Sequence, residues 1–469
     1  MTLPAKFVER VLRDLGGTEG AALCAALDAE PPVSVRLNPA KTGADTLPAG
    51  PDAGLPVPEA AGLPALAIAG RVPWSRDGRY LAVRPSFTLD PDFHAGAYYV
   101  QEASSQFVGH LLAAVRTEGA RILDLCAAPG GKTTLYASLA GPDGLVVANE
   151  IDRRRAPVLA DNVRKWGTGN VAVTTCEPRA LGDFEAWFDV VAVDAPCSGE
   201  GMFRKDPDAR GEWSEGNVKQ CAARQDEILR EAWRALKPGG TLVYSTCTFN
   251  RDEDEGALER MAAWAGDEIA ESEETAVEDA WGIVCGRVGA FRTFRFYPHR
   301  TCGEGFFAAV ARKSFDAGGR VRAPKARRTV FAAVDRKTAG ELARWVRNPG
   351  GMRFAAVADT CYAWYAAQAD AVRTLSEALP VIYSGVALGQ VFKGVLKPDP
   401  ALAFFDGLNR GALPAAELDD EETLRFLRRQ DIAAGMNLVC SRGRALGFAK
   451  RIGARVNNLY PNSLRIIKQ

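Results

Sequence analysis

The stretch RILDLCAAPGGKTTLYASLA (121–140) decides the fold. RILDL is a short apolar run of the kind that forms a buried strand in a parallel sheet, and KTTLYASLA predicts a helix. The small residues between them let the backbone approach a ligand closely at the start of that helix. The segment therefore predicts the first strand–loop–helix unit of an α/β protein.

The same alternation continues along the chain and predicts a doubly wound, mostly parallel sheet. Helices are expected over RRRAPVLADNVRKWG (153–167) and over a longer segment from Asn217 to Gly239. Two apolar runs, 291–300 and 305–313, flank a Gly-containing turn and predict an antiparallel hairpin that closes the sheet. The further predicted strands are GLVVANE (144–150), VAVTT (171–175), FDVVAVDA (188–195) and TLVYSTC (241–247).

Length and composition describe a globular protein of several domains. At 469 residues the chain is too long for one ordinary core, and we expect about two to four domains. No run approaches the roughly 20 uninterrupted apolar residues of a membrane span, and the charged start MTLPAKFVERVLRDLGG (1–17) has no apolar signal core. We therefore expect a cytoplasmic protein without a membrane partner.

Cysteine and histidine usage argues against metal chemistry. The ten cysteines include no C-x-x-C pair, and the three histidines are scattered along the chain. This pattern disfavours both a zinc site and a disulfide framework. We therefore expect no metal and no histidine-based mechanism, and we interpret His94, His110 and His299 as structural residues.

The formal net charge is +0, but the charge is segregated along the chain. Residues 252–280 hold twelve acidic residues and one arginine, which we interpret as a solvated surface. Residues 316–360 hold ten basic against four acidic residues, and residues 425–469 hold ten against one. The two basic regions fit an electrostatic footprint for a phosphate backbone, although charge alone does not name the polymer.

The loop CAAPGGK (126–132) is the predicted cofactor site. Gly-Gly-Lys-Thr invites comparison with a Walker A loop, which requires a glycine five positions before the second glycine. That position holds Cys126, and Pro129 lies inside the loop, so a P-loop nucleotide hydrolase is disfavoured. Glu150 ends the second strand, where a carboxylate can hydrogen-bond the hydroxyls of a ribose or interact only with the following helix dipole.

Two more acidic residues follow the ends of predicted strands. Glu177 follows the third strand and could meet the adenine side of a cofactor, but a solvent-facing loop acid fits almost as well. Asp194 ends the fourth strand, which lies beside the first in this topology. Its carboxylate can therefore reach either the cofactor or the substrate.

Two cysteines occupy matching positions after the fourth and fifth strands, Cys197 in VVAVDAPCSGEG and Cys247 in TLVYSTCTF. Adjacent parallel strands deliver their carboxyl ends to the ligand crevice, so both thiols are expected beside the cofactor. Taken alone, each cysteine could be a small buried hydrophobic residue. Together they indicate chemistry in which one sulfur attacks and a second group completes the reaction.

The motifs DLCAAPGGKTT, NEID, DAPCSGEGMFRKDP and YSTCTFNRDEDE resemble those of the Nol–Nop–Sun family of RNA 5-cytosine methyltransferases. PPVSVRLNP (31–39) and GAYYVQEASS (96–105) resemble its N-terminal segments, and the tail 443–466 resembles the PUA-like module of the bacterial RsmF type. The resemblance implies a class I (Rossmann-like) methyltransferase core. We divide the chain into an N-terminal α+β segment that binds RNA or is accessory (1–95), the core (96–315), a basic linker and pre-PUA region (316–395), and a PUA-like β-rich module that binds RNA (396–469).

The resemblance also implies roles for the candidate site residues. Cys247 would be the nucleophile at C6 of cytosine, and Cys197 would assist loss of the C5 proton or release of the product. Asp194 would hydrogen-bond the cytosine edge, and Lys132 would support the catalytic loop. Glu177 stands where the family usually has Asp. The residues implied to contact S-adenosylmethionine are Cys126, Ala127, Ala128, Pro129, Gly130, Gly131, Lys132, Glu150, Glu177 and Asp194.

The implied activity is S-adenosylmethionine-dependent methylation of C5 of a cytosine in 16S ribosomal RNA, free or in the small subunit, by a monomer. DNA 5-cytosine methyltransferases also use a Pro-Cys motif, but the Thr-Cys motif on the next strand favours the RNA class. Two alternatives remain open: the same chemistry on transfer RNA, and a non-catalytic RNA-binding factor for ribosome assembly. Arg204 and Lys205 are candidates for phosphate contacts, although solvent-exposed loop charges explain them equally.

Overall fold

The computed structural model describes residues 2–42, 63–432, 437–453 and 455–467. The elements of its N-terminal part, in chain order, are α1 (Ala5–Leu15), α2 (Gly17–Ala26), β1 (Val33–Leu37), α3 (Pro39–Thr42), β2 (Ile68–Arg71), β3 (Gly78–Leu81), α4 (Pro91–His94), β4 (Tyr98–Val100) and α5 (Phe107–Ala113). The four strands form an antiparallel sheet in the order β2-β3-β1-β4. The N-terminal part is thus a helical pair beside a small sheet.

A larger sheet forms the centre of the molecule. Its elements, in chain order, are β5 (Arg121–Asp124), α6 (Gly131–Ala140), β6 (Leu145–Asn149), α7 (Ala156–Trp166), β7 (Val171–Thr174), α8 (Pro178–Gly182), β8 (Phe188–Asp194), α9 (Ala209–Glu212), α10 (Glu215–Ala235), β9 (Leu236–Thr246), α11 (Glu255–Ala265), β10 (Ile269–Ala270), β11 (Val284–Val288), β12 (Phe291–Phe296) and β13 (Phe306–Lys313). These strands lie in the order β11-β12-β13-β9-β8-β5-β6-β7, with β10 paired to β13.

The predicted class I architecture is confirmed. The five strands from β5 to β9 pair in parallel, with β8 between β5 and β9. β13 runs antiparallel to β9, and β12 runs antiparallel to β13, so the predicted hairpin closes this side of the sheet. A mostly parallel sheet with a terminal antiparallel hairpin therefore supports the site.

Alternate residues of the parallel strands serve two separate cores. Ile122 of β5 packs in a cluster with residues of α5, α6 and α7, whereas Leu123 packs in a cluster with residues of α10 and α11. Because both faces of the sheet are covered, a strand such as β6 is buried along its whole length. This explains the continuous apolar runs in the sequence.

The helix predicted to end at Gly239 ends at Ala235 instead. Leu236 is already extended and begins β9, where it pairs with Phe188 of β8. Pro238 accounts for the early end, because proline disfavours a helical conformation at the preceding residue and lacks the N–H that a helix needs. The strand that follows therefore begins earlier than predicted.

The C-terminal part contributes two small sheets and one strand of the central sheet. Its elements, in chain order, are β14 (Ala332–Ala333), α12 (Arg336–Ala343), β15 (Met352–Val357), β16 (Thr360–Tyr365), α13 (Ala369–Ala378), β17 (Val381–Ser384), β18 (Val386–Phe392), β19 (Val395–Pro398), α14 (Pro400–Phe404), β20 (Ala415–Glu417), α15 (Asp420–Leu427), β21 (Leu438–Ser441), β22 (Arg444–Ile452) and β23 (Arg455–Asn458). The two sheets have the orders β14-β15-β16-β18-β19 and β20-β21-β22-β23, and β17 pairs antiparallel with β7 at the edge of the central sheet. Within the described ranges, every helix is too short or too polar to cross a membrane.

Buried ion pairs join the C-terminal part to the N-terminal part. Arg442 Nη1 lies 3.2 Å from Asp90 Oδ1 and 2.9 Å from Asp92 Oδ2, and Arg444 Nη1 lies 2.8 Å from Asp92 Oδ1. Both aspartates are buried, so each needs such a partner. Part of the basic charge of residues 425–469 therefore pairs within the chain and does not face an external phosphate backbone.

Candidate active site

The two cysteines that follow β8 and β9 meet at the carboxyl edge of the sheet. Cys197 Sγ lies 3.2 Å from Cys247 Sγ, and both residues are partly buried. Asp194 at the end of β8 is paired with Ser245 near the end of β9, so the two parallel strands finish at the same level. This register brings together two thiols that are 50 residues apart in the chain.

The loops that carry the two thiols are tied to each other directly. Gly201 N donates to Cys247 O at 2.8 Å. Glu200 Oε2 accepts from Thr248 Oγ1 at 2.7 Å and from Phe249 N at 3.0 Å. A Cβ at Gly201 would lie 2.8 Å from Cys247 O, so only glycine allows the loops to approach this closely. These contacts fix the separation of the two loops.

Glu200 also connects both loops to the N-terminal helix α1. Its side chain is buried, and Oε1 accepts from Trp213 Nε1 at 3.0 Å and from the guanidinium of Arg10. Sequence reasoning missed this residue, although an acidic side chain within the small-residue run CSGEG was a signal. The aromatic residues that pack around this connection are Phe7, Phe203, Trp213, Phe249 and Tyr297.

A second buried carboxylate, Glu253, supports the loop of Cys197. Its Oε2 accepts from Ser198 N and from Gln225 Nε2, both at 2.9 Å, and its Oε1 accepts from Asn250 Nδ2 at 2.7 Å. Burial raises the pKa of Glu253 above its ordinary value. The hydrogen bond from Ser198 N to Glu253 fixes the backbone next to Cys197.

The acidic run 252–280 is only partly the solvated surface that its composition predicts. Glu253 and Asp254 are both fully buried. Asp254 accepts from Thr246 Oγ1 at 2.5 Å and lies 3.0 Å from Arg295 Nη1, which compensates its charge inside the protein. The interpretation of this run as a surface is therefore wrong for these two residues, because both carboxylates have partners inside the protein.

One of the two sulfurs is held as a thiol. The hydrogen bond to Cys247 and burial together raise the pKa of Cys197 well above its ordinary value, and the nearby Glu253 adds to the effect. Cys197 is therefore protonated at neutral pH. Either sulfur could be the donor in the contact between them.

Lys132 and Asp194 form an ion pair beside the thiols. Lys132 Nζ lies 2.8 Å from Asp194 Oδ2, and Ser245 Oγ donates to Asp194 Oδ1 at 2.8 Å. Burial acts to lower the pKa of Lys132, but attraction to Asp194 outweighs it and the pKa is raised. Lys132 is therefore an ammonium. The Asp194 side chain is 37% exposed, which leaves part of the carboxylate accessible to a ligand.

The predicted cofactor loop turns into α6 at Gly130. Its φ of +110° is one that L side chains rarely adopt, and a Cβ there would lie 3.0 Å from Leu159 Cδ1. Ala127 N donates to Asn149 O at 2.8 Å, which anchors the loop to the end of β6. The residues that this one turn brings together are Cys126, Ala127, Ala128, Pro129, Gly130, Gly131 and Lys132.

Arg36 of β1 holds the same loop from the N-terminal part. Its Nη2 donates to Gly131 O at 3.0 Å and to Thr134 Oγ1 at 2.6 Å, and its Nε donates to Gln101 Oε1 at 2.7 Å. Its guanidinium lies 4.4 Å from the centre of the Trp166 ring. Burial lowers the pKa of Arg36 to about 10, so the group stays charged at neutral pH. Sequence reasoning missed Arg36, for which the signal was a charge inside the apolar strand of PPVSVRLNP.

Asp124, at the end of β5, supplies a buried acceptor beside the loop. Its Oδ2 accepts from Thr133 Oγ1 at 2.6 Å. Among the described residues, none donates to its Oδ1, and burial raises the pKa of the carboxyl to about 7. A buried oxygen without a partner calls for a donor from outside the chain, and the ammonium of a bound amino-acid moiety is one.

The two acids predicted to contact the nucleoside end of a cofactor differ in their surroundings. Glu150 is buried, its Oε1 accepts from Asp152 N at 2.9 Å, and its Oε2 lies 3.5 Å from Arg155 Nη1. Glu177 is exposed at the start of the short helix α8. Glu150 is therefore fixed in orientation, whereas Glu177 faces solvent.

Arg204 does not present its charge to solvent. Its Nε lies 2.9 Å from Glu304 Oε2, its Nη2 donates to Gly303 O at 2.6 Å, and its side chain is 6% exposed. The prediction of a phosphate contact is wrong for Arg204, because Glu304 takes its charge inside the protein. Lys205 is 30% exposed, with Nζ 3.8 Å from Glu304 Oε1. In the part of the chain that the structure describes, no group of three or more His, Cys, Asp or Glu side chains could hold a metal ion.

Three family models match this chain. The model described as 16S rRNA methyltransferase RsmB/F matches residues 111–312. The N-terminal domain of 16S rRNA methyltransferase RsmF matches residues 3–103, and the methyltransferase RsmF PUA domain matches residues 414–466. The matches cover the central sheet, the N-terminal part and the C-terminal sheet.

Curated relatives and a solved structure agree with these matches. The chain is 32% identical to ribosomal RNA small subunit methyltransferase F of Shewanella loihica, with 84% of this chain and 83% of that protein covered. It is 31% identical to the protein of the same name from Erwinia tasmaniensis, with 84% of each covered. The structure of a methyltransferase homolog protein from Pyrococcus horikoshii is 27% identical, with a TM-score of 0.52, 66% of this chain and 100% of that chain covered. The family predicted from the motifs is thus confirmed: the chain belongs to the RsmF family of 16S ribosomal RNA methyltransferases.

Proposed function

We propose that this protein methylates C5 of a cytosine in 16S ribosomal RNA through a transient bond between Cys247 and C6 of the base. One observation carries the proposal: two thiols lie 3.2 Å apart at the ends of adjacent strands, next to the predicted cofactor loop. A single buried cysteine would be explained by packing, but a thiol pair at the ligand edge of an α/β sheet would not.

The chemistry of cytosine explains why two sulfurs are needed. C5 is a poor nucleophile, and addition of the Cys247 thiolate at C6 makes it enamine-like. After C5 accepts a methyl group, its proton passes to a water molecule, the C5–H electron pair forms the C5=C6 double bond, and the C6–S bond breaks to return the Cys247 thiolate. The first sulfur therefore needs a second group that acts on C5 or on the leaving thiolate.

The protonation of Cys197 supports the order of the two thiols. The raised pKa of Cys197 keeps that residue as a thiol, whose S–H can stabilise the Cys247 thiolate before attack and after release. The positive charge of Lys132 close by favours the same anion. Cys247 is therefore proposed as the nucleophile, and Cys197 as the residue that assists release.

Asp194 and Lys132 are proposed to act on the base. The accessible part of the Asp194 carboxylate can accept a hydrogen bond from the exocyclic amine of cytosine, while Lys132 and Ser245 hold its orientation. A group fixed in this way costs little reorganisation when charge develops on the ring. The pair thus orients the cytosine with C6 towards Cys247.

S-adenosylmethionine is the proposed methyl donor, and the residues present fit it. Residues 126–132 offer a close-approach backbone at the start of α6, Glu150 offers a fixed carboxylate for the ribose, and Asp124 offers a buried acceptor for the ammonium. Bound in this loop, the cofactor supplies the methyl group that C5 receives. Glu177 is proposed only as an outer contact on the adenine side.

The substrate is proposed to be ribosomal RNA whose target base is unpaired or flipped out of its helix. Flipping costs a few kcal/mol, which contacts made by the N-terminal segment and the PUA-like module can offset. We propose a monomer that needs no metal and works in the cytoplasm, where its ribosomal RNA substrate is found. A steep loss of affinity with added salt would reflect release of counterions from the RNA.

Trapping of the covalent adduct tests the order of the thiols. We expect Cys247→Ala to abolish both methyl transfer and capture of 16S ribosomal RNA in a band stable to denaturing electrophoresis. We expect Cys197→Ala to accumulate that band, because the C6–S bond forms but is not released. Accumulation in the Cys247 variant would reverse the assignment. Transfer of labelled methyl to transfer RNA instead of 16S ribosomal RNA would favour a transfer RNA methyltransferase. Transfer to neither RNA would favour a non-catalytic RNA-binding factor.

A further inference from the structure

The hairpin of β18 and β19 presents an apolar and basic face to solvent. Phe392 and Val395 pair across its turn and are 71% and 65% exposed. Gln390 pairs with the exposed Lys397 further along the same two strands. Alternate residues of a strand share a face, so these four side chains lie on one side, and Leu396 on the other side is buried. This hairpin lies outside the segments that the three family models match.

Lysines lie on the hairpin and at its turn. Lys393 Nζ lies 5.4 Å from the centre of the Phe392 ring. Lys337 of α12 reaches the turn, because a Cβ at Gly394 would be 3.5 Å from its Nζ. With Lys397 of β19, this end of the hairpin therefore carries three exposed lysines, of which Lys393 lies against the ring.

The hairpin is held rigidly, so this face exists before any partner binds. Glu341 Oε1 accepts from Leu396 N at 3.1 Å and from Trp345 Nε1 at 3.2 Å. This carboxylate therefore ties α12 to β19. Positive φ angles at Lys393 and Gly394 match the tight two-residue turns that suit hairpins. Binding at a preorganised face costs little ordering entropy.

We propose that this face binds a single-stranded stretch of ribosomal RNA, with one base stacked on Phe392 and the neighbouring phosphates on Lys337, Lys393 and Lys397. An exposed ring bordered by cations is what sequence-tolerant recognition of single-stranded nucleic acid requires. Protein interfaces, in contrast, are depleted in lysine. The inference rests on the proposed RNA substrate.

A pair of exposed phenylalanines provides the test. Phe392→Ala is compared with Phe315→Ala, since Phe315 is 72% exposed on another surface. We expect Phe392→Ala to weaken binding to protein-free 16S ribosomal RNA about 5- to 150-fold, which is the loss of one stacked base. The KM for RNA should rise with it while kcat at saturating RNA is unchanged, and Phe392→Trp should retain affinity. Replacing Lys393 and Lys397 together by Gln should reduce the slope of log affinity against log salt by about two.

The outcomes separate this inference from the proposed function. An RNA affinity of Phe392→Ala equal to that of the wild-type protein would overturn the RNA contact. So would unchanged RNA affinity combined with lost binding to purified ribosomal proteins, which would assign the face to a protein. A wild-type enzyme that binds 16S ribosomal RNA but transfers no methyl group to it would instead overturn the proposed function.

Discussion

At the thiol end of the crevice, two loops are joined to each other by the protein itself. Glu200 accepts two hydrogen bonds from the residues that follow Cys247, and Glu253 accepts one from Ser198, next to Cys197. Both carboxylates are buried. Glu200 also accepts from Arg10 of α1 and from Trp213, which lies just before α10. Glu253 also accepts from Gln225 of α10. The two thiols that we propose as the reacting groups therefore have a fixed geometry before a substrate arrives.

At the proposed nucleoside end of the cofactor site, the acidic side chain of Glu150 is held only by neighbours close in sequence. Glu150 is oriented by Asp152 and Arg155 from the same loop, and Glu177 faces solvent. The protein thus fixes the groups proposed to react, whereas the proposed nucleoside end is left to be completed by its ligand. Groups that are held in the reactive geometry lower the barrier of the chemical step. Contacts that have the same strength in the ground state and in the transition state change only the affinity.

The largest of these effects on kcat is expected at Asp194, beside the thiols. We expect Asp194→Asn to lower kcat about 10²- to 10³-fold, because Lys132 loses its ion-pair partner and the cytosine loses a charged acceptor that this ion pair orients. Single-turnover methyl transfer to 16S ribosomal RNA measures the effect. The matched control, Ser245→Ala, removes one hydrogen bond from an uncharged donor to the same carboxylate and should cost less, about tenfold. An Asp194→Asn enzyme as active as the control would contradict the proposed contact with the base.

The tie between the loops provides the next test. We expect Glu200→Ala to lower kcat about 100-fold, because a displacement of about 1 Å at the reacting groups is sufficient for that loss. Its stability should fall by about 1–3 kcal/mol as buried donors lose their acceptor. Arg10→Ala removes only the connection to α1 and should cost less on both measurements. Thermal melts together with kcat decide the point, and a destabilised Glu200 variant with normal kcat would refute the positioning role.

The smallest effects are expected at the nucleoside end. Glu150→Gln should raise the KM for S-adenosylmethionine about 10- to 100-fold, because it removes the charge from a hydrogen bond to the ribose. Glu177→Gln should change that KM by no more than about twofold, as expected for an exposed side chain. Initial-rate kinetics at saturating RNA measure both values. A larger effect at Glu177 than at Glu150 would reverse the contrast between the two acids.

Much of the fold could be predicted because its signals are local. Apolar runs buried on both faces predict parallel strands, and their alternation with helices predicts their order. That order alone was enough to predict that Cys197 and Cys247 follow adjacent strands. The end of α10 was missed because Pro238 was not weighed against the helical pattern that surrounds it.

The supporting residues could not be predicted because their partners are distant in sequence. The burial of Arg36 is explained by its hydrogen bonds to Gly131 and Thr134. The burial of Glu200 is explained by its contacts with Arg10 and with the residues after Cys247. A charged residue at a position predicted to be buried indicates that it has partners in the folded protein, but the sequence does not identify those partners. Only the folded chain identifies them.

The strand β17 makes the methyltransferase sheet depend on a later part of the chain. It pairs with β7, so a chain that stops at residue 315 would leave unpaired those backbone N–H and C=O groups of Val171–Thr174 that point away from β6. An open strand edge is a template for pairing with other chains. During synthesis, this edge stays open until Ser384 has left the ribosome, and until then the nascent enzyme is exposed to aggregation.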